Sequence, residues 1–551
     1  MKRNINKILL TTGIIAVGLM SCNKNKIISP NDQVTSTQVY STPAGYKEAL
    51  AKVYGSYANT GNIGPYNPSG PGDIQGIDEG TSDFFRLFWN AQELTTDEAV
   101  ITYGDPGVQD LHNMVWSSSN AILKGLYYRS LYQITLCNDF IRQSSDANLS
   151  SRGISGADAT NIRYYRAEAR FLRAFQYWVL MDLYANPPFV TDAQAVGAVI
   201  PPQTDRKTLF NYIESELKAI DPLLVAPMKN EYGRADQAAA WSLLARIYLN
   251  AQVYTGTARY TDAITYAQKV IGAGYSLINN YDNLMLADDN LNSIPGGGTV
   301  GEFILTINYD GLKTQGYGGS QFLTHAATGG SVPVKKIGID GGYAGARTTS
   351  NIVNLFPPPA TQDTSNFPNN NNPDTRAEFW YPGQNLVINN VTSFTDGIAV
   401  VKFRNVKIGH PTETGSNLTF TDIDLPLFRV SEMYLIYAEA VLRGGTGGDP
   451  ATALNYVNLI RTRAYGNNSG NITADQLTTN FILDERGREL YWEGYRRTDL
   501  IRYGLFTSAS YLWPFKGGAK GGTGVADYRN IFAIPDADVA ANPNLKQNTG
   551  Y

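Results

Sequence analysis

The sequence predicts a mainly α-helical protein, a scaffold of about four helix pairs carrying a loop-rich irregular region with short strands. Three observations lead there. Residues 160–184 place Tyr165, Ala169, Leu172 and Val179 on one helical face, and Tyr164, Ala167, Phe171, Phe175, Trp178 and Met181 on the next, so this helix packs on several sides. Ala238-Ala239-Ala240-Trp241-Ser242-Leu243-Leu244-Ala245 combines small residues with helical periodicity and allows close helix–helix approach. Between about 275 and 424 the pattern changes to short β-like runs separated by long Gly, Asn and Pro segments.

The elements follow in order. Lys2, Arg3 and Lys7 precede an apolar run at 8–19, a length of about a dozen residues that suits a secretory signal and falls short of the roughly 20 needed to cross a bilayer. Leu19-Met20-Ser21-Cys22 then reads as a lipobox, which makes 1–21 a lipoprotein signal and Cys22 the acylated first residue of the mature chain. Stable anchoring takes more than one acyl chain. The polar stretch 22–40 reads as a tether, and 41–551 as one discontinuous domain. Helices are expected at 43–57, 120–142, 160–184, 208–224, 236–251 and 260–271, the third stopped by Pro187-Pro188. A Gly/Pro/Asn loop at 62–73 interrupts the first two. Strands fit 302–308 and 397–403, and helices resume at 428–442, 450–464 and 473–503. Small residues followed by Tyr or Leu in paired helices look like tetratricopeptide repeats, though without a constant period.

Composition removes several classes. Of 551 residues, Lys and Arg number 45 against 49 Asp and Glu, a net charge of −4 with no basic stripe for nucleic acid. The second cysteine, Cys137, has no partner once Cys22 is acylated and reads as a core residue. His112, His325 and His410 stand in no metal-binding spacing. No P-loop, nucleophile elbow or dinucleotide fingerprint occurs. Two carboxylates suffice for a glycosidase, but Asp97 and Glu98, being adjacent, point in different directions. Glu485, Glu489 and Glu493, with Arg486, Arg488, Arg496, Arg497, Asp499 and Arg502, read as a charge ladder locking a helix, with Glu493–Arg497 as an i,i+4 pair. Asp288, Asp289, Asn290 and Asn292 offer oxygen ligands as calcium loops do, making calcium a candidate structural ion; the bidentate Glu and glycine turn of an EF-hand are missing, and a solvated turn accounts for the same residues. No other cofactor is required. The marked excess is aromatic, 35 Tyr, 21 Phe and 7 Trp, and exposed tyrosine supplies flat amphipathic faces for recognition.

Several segments together resemble the SusD/RagB family of nutrient-binding outer-membrane lipoproteins: AEARFLRAFQYWVLMDLYANPP at 167–188, GRADQAAAWSLLARIYLNA at 233–251, DLPLFRVSEMYLIYAEA at 424–440, ERGRELYWEGYRRTDLIRYG at 485–504, and the tail from Ile534-Pro535 to Tyr551. Asp78-Glu79-Gly80-Thr81-Ser82 and residues 513–522 are also similar to the family's starch-binding prototype. The resemblance implies a non-catalytic, surface-facing glycan-binding protein anchored by lipid in the outer membrane. Its implied partners are an oligosaccharide, with starch-like α-glucan the first expectation, and a SusC-like TonB-dependent transporter on which the protein sits as a lid. It also implies an arc of three aromatic rings, falling here on Tyr103, Tyr317 and Tyr343, with Arg86 as the arginine that bonds sugar hydroxyls. Two of the arc positions are tryptophan in the prototype and tyrosine here. No asparagine stands where the prototype has its amide, and Asp105 is the nearest polar candidate. The alternatives are a surface glycoside hydrolase using Asp97 with a distant carboxylate, and a helical scaffold that binds only protein.

Overall fold

A computed structural model describes residues 35–61, 72–74, 77, 80, 82–293, 301–358, 365–369 and 371–551. Cys22, the signal, most of the 62–73 loop, and Asp78, Glu79 and Thr81 lie outside the described residues. Among those described, no helix is long and apolar enough to cross a membrane.

The scaffold is helical, as expected. Its principal helices are α1 (Pro43–Gly55), α2 (Phe84–Gln92), α3 (Ala121–Gln143), α4 (Gly156–Tyr184), α5 (Arg206–Ile220), α6 (Gln237–Leu249) and α7 (Tyr260–Gly272). After the irregular region come α8 (Ser320–Ala326), α9 (Val430–Leu442), α10 (Pro450–Tyr465), α11 (Thr479–Leu490) and α12 (Arg496–Arg502). Many of them start where the sequence supplies a cap, whereas α4, α7 and α9 have no side-chain cap bond. Thr42 with Pro43, Asn120, Asp205, Asp236, Asp449 with Pro450, and Thr478 each accept a hydrogen bond from a first-turn N–H. Packing is serial, α3 on α4, α4 on α5, α6 on α7, α7 on α9 and α9 on α10. The whole circumference of α4 from Phe171 to Tyr184 is buried, as its sequence demands. Cys137 is a free thiol buried within α3, pushed up to about 12 by burial, which matches the core reading.

The irregular region is held by short antiparallel pairs: Val100–Ile101 with Ala346–Arg347, Phe303–Ile307 with Leu425–Arg429, Phe379–Trp380 with Ala399–Val400, and Val406–Lys407 with His410–Thr414. The expected strand at 397–403 therefore shrinks to two residues, and the start of the expected 428–442 helix is strand up to Arg429.

Four expectations need correction. The tether does not extend to residue 40: Thr35 caps the helix Ser36–Val39 with a reciprocal Gln38 bond, and Tyr40, 6% exposed, packs on Tyr46 at 5.0 Å. The α2 segment, FFRLFWNAQ, is a helix that the sequence reading did not include; at nine residues it is short for a periodic signal, and all its residues but Arg86 are buried. The 473–503 helix is broken into α11 and α12 by Tyr491–Tyr495, where Trp492 (φ 65°) and Gly494 (φ 91°) turn the chain left-handed. That break also dissolves the Glu493–Arg497 pair: Glu493 bonds Arg429 and Lys402, while Arg497 faces Asp182 at 3.5 Å.

The rest of the ladder locks the core as expected. Glu489 meets Arg429 (2.5 Å), Arg463 (2.6 Å) and Arg376 (3.2 Å), and Glu485 meets Arg376 (2.9 Å) and Arg461 (2.8 Å). Glu302, at the head of the 303–307 strand, joins Arg429 and Arg463. In this dry site burial alone would raise the Glu489 carboxyl, yet the three arginines hold it down at about 2.

Candidate functional site

The five residues expected to bind glycan come together around α8, and local chemistry explains why. Asp83 caps α2 by accepting the Arg86 N–H at 3.1 Å, which sets Arg86 in the first helical turn. From there its guanidinium lies 5.0 Å over the Phe322 ring of α8, and Nη2 stands 3.6 Å from Asp105 Oδ2. Phe322 is thus a platform for the arginine that the sequence reading missed.

Tyr103 leaves the Val100–Ile101 strand. Its neighbour Thr102 donates its N–H to Gly345 O (3.0 Å) and its hydroxyl to Ala344 O (2.9 Å), fastening this loop to the one that carries Tyr343. Gln109 donates its amide to the Ile101 and Tyr103 carbonyls. The Tyr103 ring lies directly on Gly345, where a Cβ would come within 2.4 Å of Cζ. Burial raises its phenol above the ordinary range, while Arg86 opposes the shift and Tyr343 and Asp105 add to it. Those influences place all four groups in one electrostatic neighbourhood.

A helix C-terminus leaves carbonyls without partners, and the 343–345 segment supplies them. Tyr343 N–H donates to His325 O (2.7 Å), Gly345 N–H to Ala326 O (2.8 Å) and Ala344 N–H to Thr328 O (2.8 Å), with Ala344 at φ 49° turning the chain. Tyr343 is left 45% exposed. Its hydroxyl accepts from Gln321 Nε2 (3.0 Å), and its ring rests on His325 at 4.9 Å and 36°. Tyr317, three residues before α8, packs edge-on against Phe420 at 5.6 Å, and after burial its phenol adds to the upward shift of Tyr343. Gln321, Phe322, His325, Asp340 and Phe420 are therefore neighbours of the candidate residues that sequence reasoning missed. The only available signal was the run of polar residues spaced along a seven-residue helix.

Tyr343 and Asp105 are the exposed members of this cluster. The cavity of about 270 Å³ lined by Leu50, Tyr54, Tyr57, Tyr232, Leu305 and Ile307 shares no residue with it. Within the cluster, Arg86 Nε, Tyr103 Oη and Gln321 Oε1 are buried without hydrogen-bond partners among the described residues, so the wall behind the rings keeps hydrogen-bonding capacity in reserve.

The other candidates resolve differently. Asp97 is held bidentately by Arg496 (2.8 Å to each oxygen) and by the Tyr511 hydroxyl, and Glu98 accepts the Trp492 N–H at 2.7 Å. Both are buried and committed to the core, which corrects any reading of them as an acid–base pair. The calcium candidates bond to backbone groups of several segments. Asp288 accepts from Ile408 N–H (2.8 Å), Asp289 accepts from Asp424 N–H (3.2 Å), and Asn292 donates to the Asn283 carbonyl (2.8 Å). Asn290 and Asn292 lie in one short turn, Asp289–Ser293. Burial and the neighbouring Asp424 carboxyl push the Asp289 carboxyl well above the ordinary range. Among the described residues no three His, Cys, Asp or Glu side chains group as metal ligands.

Comparison with known proteins fits this architecture. Residues 301–551 match the family model described as SusD family, and residues 89–249 match one described as starch-binding associating with outer membrane. The chain is 34% identical to the starch-binding protein SusD of Bacteroides thetaiotaomicron over an alignment of 591 positions, covering 100% of both chains. Among solved structures, surface glycan-binding protein A from Bacteroides fluxus superposes with a TM-score of 0.67 at 19% identity, covering 93% of this chain and 100% of that one. Its Bacteroides thetaiotaomicron counterpart in complex with laminarihexaose gives 0.65 at 22%, covering 92% and 99%. The two structures establish a shared fold, and the full-length identity settles membership: the chain belongs to the SusD family.

Proposed function

We propose that this protein captures oligosaccharides at the bacterial surface, with α-glucan as the preferred class, and passes them to a SusC-like TonB-dependent transporter. In this reading acyl chains on Cys22 hold it to the outer membrane, and it performs no chemistry on the sugar. The observation that carries the proposal is the convergence of Tyr103, Tyr317, Tyr343 and the Arg86–Asp105 pair around α8. A sugar ring offers apolar C–H faces and a polar rim. Partly exposed tyrosine rings supply the matching flat faces, and a guanidinium with a carboxylate supplies donors and acceptors for hydroxyls. At roughly 1 kcal/mol per contact, such a site binds in the millimolar to tens-of-micromolar range, weak enough to release its ligand to a transporter. Preference for α-glucan is supported by the name of the relative that is 34% identical.

Native affinity gels containing amylopectin, laminarin or no polysaccharide test the proposal. Wild type should be retarded by amylopectin and Tyr317→Ala should run faster in the same gel, with no oligosaccharide released. Retardation by laminarin alone would replace the α-glucan preference with a β-glucan one. Mobility unchanged in every gel would reject glycan capture, and released sugar would reject a purely binding role.

A further inference from the structure

We propose that His325 is a positioning residue for Tyr343 and that glycan affinity follows its protonation; this rests on the glycan-binding reading above. The argument begins with what faces the imidazole. His325 is buried on α8, under the ring of Tyr343. Nδ1 lies 3.1 Å from the Gln321 carbonyl, one helical turn back, and Nε2 lies 3.2 Å from Asp340 Oδ1. Both partners are acceptors. A carbonyl has no proton to give, and the Asp340 carboxyl, although partial burial works against its charge, is held below the ordinary range by the Thr419 hydroxyl on Oδ2 and by His325 itself. Only the doubly protonated imidazolium donates to both at once. Thr324 places its hydroxyl 3.1 Å from Nδ1, but that hydroxyl also serves the Ser320 and Gln321 carbonyls (3.1 and 3.0 Å).

The groups acting on the ring are therefore Asp340 and the Tyr343 phenol from the 338–345 segment, the Gln321 carbonyl and Thr324 hydroxyl from α8, and Thr419 acting through Asp340. Burial moves the titration of His325 to the acid side of its ordinary range, with Asp340 and the Gln321 carbonyl opposing. Loss of the proton forfeits one of the two bonds. If the Asp340 bond goes, the loop that carries Tyr343 three residues later loses a tether, although Asp340 N–H still holds Leu418 O at 3.1 Å. If the helix bond goes, the ring beneath Tyr343 loses its fixed tilt. In either case the exposed platform becomes less ordered, and a sugar must order it on binding. The protonated form also places a cation against the Tyr343 ring, which holds the ring in place. Acid conditions should accordingly favour the glycan.

The test is isothermal titration of the full mature chain with maltoheptaose between pH 4.5 and 8, paired with NMR of the histidine ring protons. The chain has three histidines, so His410 and His112 serve as internal references. We expect affinity to fall about fivefold across the His325 titration, the consequence of losing one hydrogen bond. By reciprocity, saturating maltoheptaose should raise the midpoint of the His325 titration by about 0.7 pH. His325→Gln should flatten the pH profile, and if that variant fails to fold, Asp340→Asn and the wild-type NMR shift carry the test. Binding with a flat profile and an unmoved His325 midpoint would overturn this inference while leaving glycan capture intact. No binding at any pH would remove the glycan-binding reading beneath it.

Discussion

At the scale of single residues the site depends on close approach as much as on aromatic rings. Gly345 is the clearest case, because the Tyr103 ring occupies the space a side chain would need. In Gly345→Ala the methyl must displace the ring, while the backbone bonds of 343–345 to α8 survive. The expected result is glucan affinity lowered about tenfold, with a melting temperature within a few degrees of wild type; unchanged affinity by titration calorimetry would show that the Tyr103 ring makes no contact with the sugar. The clustering of Tyr103, Tyr317, Tyr343, Arg86 and Asp105 was legible because the family resemblance named them together. Gln321, His325 and Asp340 were not. Their roles are set by contacts between α8 and a loop some 20 residues further on, and a single seven-residue helix has too few turns to reveal a buried face.

At the scale of elements, the break between α11 and α12 is the feature that periodicity could not foresee. The charge ladder runs through it without interruption in sequence, and the reason it breaks lies some 400 residues away. Glu93 accepts the Gly494 and Tyr495 N–H groups and Glu98 accepts the Trp492 N–H, so two carboxyls cap the left-handed turn. Burial, the dominant cause, pushes Glu93 from its ordinary 4.5 up to about 7, and burial together with Glu93 pushes Glu98 well above its own. Both groups therefore hold protons in the folded chain that they would release when unfolded. For Glu93 this stabilisation is complete below about pH 4.5 and is lost as pH rises through about 7, at roughly 1.4 kcal/mol per pH unit, and for Glu98 it is likewise lost as pH rises through its own raised titration. Glu98→Gln keeps an acceptor for Trp492 and a donor for Glu93 without titrating. Its melting temperature should gain on wild type between pH 5 and pH 8, and parallel curves for the two proteins would show that the pair does not share this burden.

At the scale of the molecule, the long helices and their serial packing could be read from the sequence because apolar periodicity and caps are local signals. Of the irregular region only its loop-rich character and the strands at 303–307 and 399–400 could be read; the other strands are two to five residues long and exist only through their partners in the chain. What joins the two parts is the dry network of Arg376, Arg429 and Arg463 with Glu302, Glu485 and Glu489, which ties the 303–307 strand, the 374–378 loop, α10 and α11 into one body. Removing one partner from such a network costs about 3–5 kcal/mol, because the others are left buried and uncompensated. In the proposed function this body fixes α8 and the loops bearing the three tyrosines relative to one another. A crystal structure of the mature chain with bound maltoheptaose tests that claim most directly. The account predicts glucose rings lying on Tyr317 and Tyr343, with hydroxyls bonded to Arg86 and Asp105; sugar bound at another face, with the tyrosine cluster left empty, would contradict it.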